Sequence, residues 1–143
     1  DLLVERLSSS GHELRDRAIA KDDVYAIRAK VSHWIVEPSV EVVICTGGTG
    51  VTGRDGTPES VSVLLDKEIG GFGEMFRSIS FAEIGTSSLQ SRCLAGVANG
   101  TYIFCLPGAP TACGMGWDKI IAAQLDYRTR PCNLAELMHR LKQ

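Results

Sequence analysis

The sequence predicts an α/β fold in three layers (α/β/α), with a mostly parallel central sheet between two layers of helices. Apolar runs at 40–46 and 101–106 are typical of strands that are covered on both faces. Segments with helical periodicity lie between and after these runs, and alternation of strands with helices is typical of a layered α/β domain. The 143 residues are enough for one hydrophobic core, so we expect a single domain over 1–143.

In the first third of the chain, the sequence predicts a helix, a weakly indicated strand and a second helix. A leucine-rich amphipathic helix opens the chain, and Gly11 is well placed to end it. Residues 12–20 alternate weakly between polar and apolar side chains, which favours a strand at or near a sheet edge. Asp22 or Asp23 then caps a second helix. Its buried stripe consists of Ile27, Val31, Trp34 and Ile35.

The middle of the chain predicts three helices. The first runs over 57–69, with Thr57 as its cap, Pro58 in its first turn and Gly70-Gly71 at its end. A short helix is predicted over 73–81. A capping box of Ser and Gln predicts a third helix over 88–98, which the following Asn-Gly pair ends.

Two more helices are predicted after the second buried strand. A long one runs over 111–126, and a last one begins after Asn133, which caps it together with Glu136. Their inward-facing side chains are Trp117, Ile120, Ile121 and Leu125 in the long helix, and Leu134, Leu137, Met138 and Leu141 in the last.

Composition and charge argue against several classes of function. A formal net charge of −2 gives no electrostatic reason to expect nucleic acid or an anionic membrane as partner. No apolar run approaches the roughly 20 residues that cross a bilayer. The five cysteines are odd in number and lack C-x-x-C spacing, which supports neither a zinc site nor a disulfide framework. We therefore expect a cytoplasmic protein.

Both predicted buried strands end in unusual loops, TGGTG at 46–50 and LPGAP at 106–110. If the strands are parallel, both loops open at the same end of the sheet, where ligands of such folds bind. Glycines let a ligand approach the backbone, and exposed N–H groups form an anion-binding nest. A plain strand-to-helix turn is the alternative, since the loop matches no dinucleotide or Walker motif. The candidate ligand-binding residues here are Gly47, Gly48, Thr49, Gly50, Pro107 and Gly108.

Two carboxylates, Asp55 and Glu59, follow the first loop closely. A carboxylate beside a bound phosphate is unfavourable unless a cation lies between them, and Mg²⁺ binds both kinds of oxygen. Asp55 is thus a candidate metal ligand and catalytic residue, and Glu59 a candidate binding residue. The alternative is that Asp55-Gly56 is only a turn and that Glu59 is an exposed acid in the first turn of a helix.

Ser91 and Arg92 belong to a serine-rich stretch at the start of a predicted helix. Backbone N–H groups at such a position, together with an arginine, suit an anionic ligand. Ordinary capping beside an exposed arginine is the alternative.

Four stretches taken together resemble the molybdenum cofactor biosynthesis family, which includes the MogA adenylyltransferases and the G domain of gephyrin. They are TGGTGVTGRDGTPE, GFGEMFRSISFAEIGTSSLQSR, LPG and QLDYRTRPCN. The second and fourth are most similar to the MoaB branch. The resemblance extends over about 26–133.

This resemblance implies a three-layer α/β domain that assembles as a trimer, or as a hexamer of two trimers. Members bind molybdopterin, and the active ones use Mg²⁺ and ATP to adenylylate its terminal phosphate. By position, Gly47–Gly50 match the ligand-binding loop, and Asp55 matches a carboxylate linked to metal or catalysis. Ser91 and Arg92 match a pair near the pterin, and Pro107-Gly108 match the second loop.

The sequence departs from the family at its start. The family's other acidic loop precedes the first helix, and this chain begins on a helix, so we expect a strand and loop upstream of Asp1. Three functions are open: a molybdopterin adenylyltransferase, a non-catalytic pterin-binding or scaffold protein of the same pathway, and an oligomeric domain of the gephyrin type that acts through protein partners.

Overall fold

A computed structural model of the chain describes residues 1–142 and contains a four-stranded sheet. The strands are β1 (Val42–Thr46), β2 (Lys67–Glu68), β3 (Leu94–Ala98) and β4 (Thr101–Leu106). The helices are α1 (Leu2–Ser9), α2 (Val24–Ile35), α3 (Thr57–Ser62), α4 (Gly70–Ile84), α5 (Pro110–Gly116), α6 (Ala122–Gln124) and α7 (Leu134–Leu137). A π-helical segment (Trp117–Ile121) joins α5 to α6, and 3₁₀ turns cover Gly85–Gln90 and Met138–Arg140. Among these residues, no helix is long and apolar enough to cross a membrane.

The sheet is flanked by helices on both faces, which confirms the α/β class. Its strands lie in the order β1-β4-β3-β2. β1 and β4 are parallel, whereas β3 is antiparallel to both β4 and β2. The described sheet is therefore mixed, and the expectation of a mostly parallel sheet is corrected. The reason is that β3 and β4 form a hairpin, which can only be antiparallel.

The helix predicted over 88–98 is wrong. The segment starts in a 3₁₀ turn that ends at Gln90, its last five residues are β3, and Asn99-Gly100 forms the two-residue turn into β4. Asn99 has φ of 50° and Gly100 has φ of 79°, as the favoured hairpin turn requires at both central positions. Asn-Gly between two apolar runs indicates a hairpin, and here that signal outweighs the capping box.

The helix predicted over 57–69 is too long, and Gly70-Gly71 do not end it. α3 stops at Ser62, and the two glycines instead open α4, which extends well beyond the predicted 73–81. The chain leaves the helix because Asp66 and Ile69 donate backbone N–H groups to Val97 and Ala95, at 2.7 and 2.8 Å. These bonds hold the segment along β3.

The strand predicted over 12–20 is also wrong, because these residues contain no regular secondary structure. They pair with none of the described strands, and an isolated extended segment is not stable.

The other predicted helices are present in the structure, although their ends are shifted. Asn133 caps α7 as expected, since its side-chain oxygen accepts the N–H of Glu136 at 2.8 Å.

Two apolar clusters pack on the two faces of the sheet. β4 is central, so all six of its residues are buried, and alternate side chains join opposite clusters. Helices α4 and α5 cover one face, and α2 and α3 cover the other. The core members of the first cluster are Phe72, Phe76, Cys93, Ala95, Val97, Tyr102, Phe104, Leu106, Cys113, Trp117, Ile120, Ile121 and Leu125, and those of the second are Val31, Val43, Val61, Ala98, Ile103 and Cys105. This packing holds β4 in place, and the second loop begins at the carboxyl end of that strand.

Candidate functional site

The glycine loop (46–50) and the second loop (106–110) meet at the carboxyl ends of β1 and β4. The parallel register pairs Thr46 with Leu106, so both strands end at the same level. The N–H of Gly47 donates to the carbonyl of Leu106 at 2.9 Å. A Cβ added to Gly108 would lie 3.3 Å from Gly47 Cα, so the two backbones are in close contact. The prediction that both loops open at one end of the sheet is confirmed.

A cleft of about 290 Å³ opens beside these loops. Most of the predicted site residues line it, and they are Gly48, Thr49, Gly50, Asp55, Ser91, Pro107 and Gly108. The opposite side is formed by α4 and the following 3₁₀ turn, through residues that include Ser80 and Ser88. The fold thus brings segments from four parts of the chain to one cleft.

The glycine loop turns its carbonyls toward the protein. Thr57 donates its hydroxyl to the Gly47 carbonyl at 2.9 Å and its N–H to the Gly48 carbonyl at 3.1 Å. Arg92 donates its N–H to the Thr49 carbonyl at 2.8 Å and its Nε to the Gly50 carbonyl at 2.6 Å. All the carbonyls from Gly47 to Gly50 therefore have a protein donor.

The N–H groups of the same peptides point the other way. In a planar trans peptide, the N–H of one residue is directed opposite to the carbonyl of the residue before it. Within residues 1–142, the N–H groups of Gly48, Thr49 and Val51 have no hydrogen-bond partner. Gly47 and Gly48 have φ of 94° and 68°, left-handed values that glycine adopts without strain.

Asp55 lies directly against this loop. Its Oδ2 accepts the N–H and the hydroxyl of Thr52, at 2.9 and 2.8 Å. These hydrogen bonds hold the pKa of the Asp55 carboxyl below its usual value, so the group is ionised at neutral pH. Both of these hydrogen bonds end on Oδ2, and the backbone N–H of Gly50 is a further donor that lowers the pKa of the carboxyl.

Glu59 and Arg92 form an ion pair behind the loop. Arg92 Nη1 donates to Glu59 Oε2 at 2.5 Å, and Nη2 donates to Oε1 at 3.2 Å. The hydrogen bond from the guanidinium lowers the pKa of the Glu59 carboxyl. Nη2 also donates to the carbonyl of Asp55 at 2.8 Å. Neither side chain lines the cleft, in contrast to the residues named above.

Thr57 was expected only as a helix cap, and its place in the site is a finding of the structure. The N-cap of α3 is Gly56, and the Thr57 side chain caps nothing in its own helix. It is 6% exposed and bonds to the loop ten residues earlier. No local spacing marks this role, because it depends on the loop folding back over the start of α3.

Ser80 is a second residue that sequence reasoning missed. It lies on α4 between Phe76 and Ile84, and all three line the cleft. A serine in the middle of an apolar i, i+4, i+8 stripe is a signal that could have indicated a polar cavity next to the core.

Comparison with known proteins identifies the family. A sequence model described as "Probable molybdopterin binding domain" matches residues 1–127. The chain belongs to this family. Molybdenum cofactor biosynthesis protein B of Escherichia coli K12 is 56% identical over 131 residues, which is 92% of this chain and 77% of that protein. The protein of the same name in Staphylococcus carnosus is 43% identical, over 89% of this chain and 76% of its own length.

Solved structures of the molybdopterin-binding domain family share the fold. A crystal structure of molybdenum cofactor biosynthesis protein B superposes with a TM-score of 0.89 at 40% identity, over 97% of this chain and 83% of that one. The tungsten cofactor synthesizing protein MoaB from Pyrococcus furiosus gives 0.75 at 32% identity, over 99% and 81%. The resemblance deduced from sequence is confirmed, and the protein functions in molybdenum cofactor biosynthesis.

Proposed function

We propose that the protein binds molybdopterin in the cleft beside the glycine loop and transfers AMP to it from ATP. The observation that carries this proposal is the orientation of the loop. Its carbonyls from Gly47 to Gly50 are bonded to the protein, and the N–H groups of Gly48, Thr49 and Val51 have no partner among residues 1–142. Such a row of N–H groups fits the oxygens of a phosphate.

The proposed reaction needs no nucleophile from the protein. A terminal phosphate oxygen of molybdopterin attacks the α-phosphorus of ATP, a new P–O bond forms, and the bond to pyrophosphate breaks. The loop holds one of the phosphates in place, and Ser80 and Ser88, which are 7% and 6% exposed, supply hydroxyls on the other side of the cleft. Positioning of this kind is the main contribution that proteins make to phosphoryl and nucleotidyl transfer.

Asp55 fits the requirement for Mg²⁺. No group of three or more metal-ligating side chains occurs within 1–142, so a cation held entirely by these side chains is not what this part of the chain offers. Mg²⁺ instead usually takes one or two carboxylates together with substrate phosphates. Asp55 is ionised, adjoins the loop and accepts both hydrogen bonds of Thr52 through one oxygen, Oδ2. When bound there, Mg²⁺ would neutralise charge on the phosphates during transfer.

The test replaces Asp55 with Asn in the whole chain. Asparagine keeps an oxygen for Thr52 but loses the negative charge, so AMP transfer should fall by at least about 100-fold while molybdopterin still binds. The assay mixes protein, molybdopterin, ATP and Mg²⁺ and measures adenylylated pterin and pyrophosphate, with pterin binding measured separately. A fully active Asp55→Asn variant would remove Asp55 from the proposed role.

A non-catalytic pterin carrier is the second candidate, and the bonding of Asp55 favours it. Oδ2 caps the turn at Thr52, which is a sufficient structural reason for an aspartate here. In that case the wild-type protein binds molybdopterin but releases no pyrophosphate, under conditions in which an active adenylyltransferase does.

A further inference from the structure

We infer that Thr57 and Arg92 are positioning residues that hold the N–H side of the glycine loop toward the cleft, and that Arg92 does not itself bind the anion. The inference rests on the proposed function in one respect, because it assumes that the loop receives a phosphate. It concerns how the loop is held, which can be measured without any ligand.

Thr57 controls the first two peptides of the loop. Its hydroxyl and its N–H reach consecutive carbonyls, those of Gly47 and Gly48. The contact is close, since a Cβ added to Gly48 would lie 2.4 Å from Thr57 Oγ1. Because each fixed carbonyl also fixes the following N–H, this one residue sets the direction of the N–H groups of Gly48 and Thr49.

Arg92 controls the next two peptides in the same way, through its own N–H and its Nε. Its remaining donors are largely occupied. Both Nη2–H groups and one Nη1–H bond to Glu59 and to the carbonyl of Asp55, so in the described part of the chain only the second Nη1–H has no acceptor. With one free N–H, the guanidinium cannot form the bidentate hydrogen bond with a phosphate for which arginine is usually selected.

Glu59 contributes by orienting the guanidinium. Its bidentate contact fixes the plane of the Arg92 side chain, and that plane places Nε on Gly50 and Nη2 on the carbonyl of Asp55. The same arginine therefore ties the two ends of the segment from Gly50 to Asp55. Arg77 plays a similar part next to it, since its Nη1 donates to the carbonyls of Ser91 and Cys93 at 3.2 and 3.4 Å.

The experiment uses the ¹⁵N-labelled whole chain, with inorganic pyrophosphate as the probe. Thr57→Val removes the hydroxyl at constant shape, and Thr57→Ser restores it. Arg92→Lys keeps the positive charge but loses the planar guanidinium, which bonds to Glu59 and to the carbonyls of Gly50 and Asp55 at the same time. Arg54→Lys is the matched control, because Arg54 lies near the loop but is 85% exposed and bonds to Asp22.

We expect pyrophosphate to shift the amide signals of Gly48, Thr49 and Val51 in the wild type. Its Kd should rise about tenfold in Thr57→Val and in Arg92→Lys, as loss of one well-placed hydrogen bond predicts. Thr57→Ser and Arg54→Lys should bind as the wild type does. Wild-type affinity in Thr57→Val, or in Arg92→Lys, would overturn the inference for that residue.

Spectra without ligand separate this inference from the proposed function. Thr57→Val should move the amide signals of residues 48 to 51 even in the absence of pyrophosphate, and Thr57→Ser should leave them in place. If they do not move in Thr57→Val, the positioning role is wrong whether or not the wild type binds pyrophosphate. If they move but the wild type does not bind, the proposed phosphate site fails and the positioning role stands. If Arg92→Lys does not fold, Glu59→Gln tests the same role, because it weakens the contact that orients the Arg92 guanidinium.

Discussion

Gly50 and Asp55 touch each other at the centre of the site. A Cβ built on Gly50 would lie 2.7 Å from Asp55 Oδ2 and 3.3 Å from Cγ. Gly53 follows three residues later and has nothing within 4 Å of its added Cβ. Neither glycine has a positive φ, so substitution strains the backbone at neither position. The two positions thus differ in the contact with Asp55.

Gly50→Ala should reduce AMP transfer by about 100-fold, because its methyl group pushes the Asp55 carboxylate away from the loop by a large fraction of an ångström. Gly53→Ala should keep nearly the wild-type rate. The rates of pyrophosphate release at saturating ATP and Mg²⁺, measured for both variants, check the prediction. Equal rates would show that the position of Asp55 does not matter to the reaction.

At the level of elements, the β3–β4 hairpin decides the sheet topology. Its turn depends on Asn99 and Gly100, both of which have left-handed φ angles. Asn99 is held further by its side chain, whose Nδ2 donates to the carbonyl of Ile35 at 3.1 Å, and by its N–H, which donates to Asp66 at 2.8 Å. The turn therefore also fastens α2 and the segment before β2 to the sheet.

Gly100→Ala should lower the free energy of unfolding by about 1–2 kcal/mol, which is the cost of a left-handed conformation for a residue with a Cβ. Gly71→Ala is the control, because Gly71 lies in the first turn of α4 with no positive φ and nothing within 4 Å. It should be neutral or slightly stabilising. Urea unfolding of both variants tests the difference, and equal stabilities would contradict it.

At the level of the molecule, stability depends on the cluster between α4, α5 and the sheet. Phe76 and Phe81 lie on the same helix, α4, and they are 1% and 57% exposed. Phe76 is packed in this cluster and also lines the cleft, so the core and the site share a wall. Loss of core packing should therefore also disturb the cleft.

Phe76→Ala should lower the free energy of unfolding by about 3–5 kcal/mol, since it removes a buried ring and leaves a cavity. Phe81→Ala should change it by no more than about 0.5 kcal/mol, as is usual for exposed positions. Thermal and urea unfolding of the two variants provide the measurement. A similar loss in both would mean that the exposed face of α4 is covered in solution.

Strands β1 and β4 could be predicted from sequence because continuous apolar runs identify them locally, but only β4 is buried along its whole length, since β1 lies at the edge of the described sheet. The Asn133 cap and the stripe of α2 follow from spacing within a few residues in the same way. The glycine loop, Asp55 and the second loop could also be proposed, because strand ends and carboxylates are visible in the sequence. Their common cleft then followed from the parallel pairing of two strands.

By itself, the sequence determined the family, the layered α/β class and the end of the sheet at which the loops lie. At 94–98 the sequence contains opposing signals, a capping box and an Asn-Gly turn, and the pairing with β2 and β4 in the tertiary structure decided for a strand. The tertiary structure alone decided the roles of Thr57 and Arg92, which reach Gly47 and Gly50 from 10 and 42 residues away. Hydrogen bonds over such separations leave no local pattern, and here they determine which side of the loop faces the cleft.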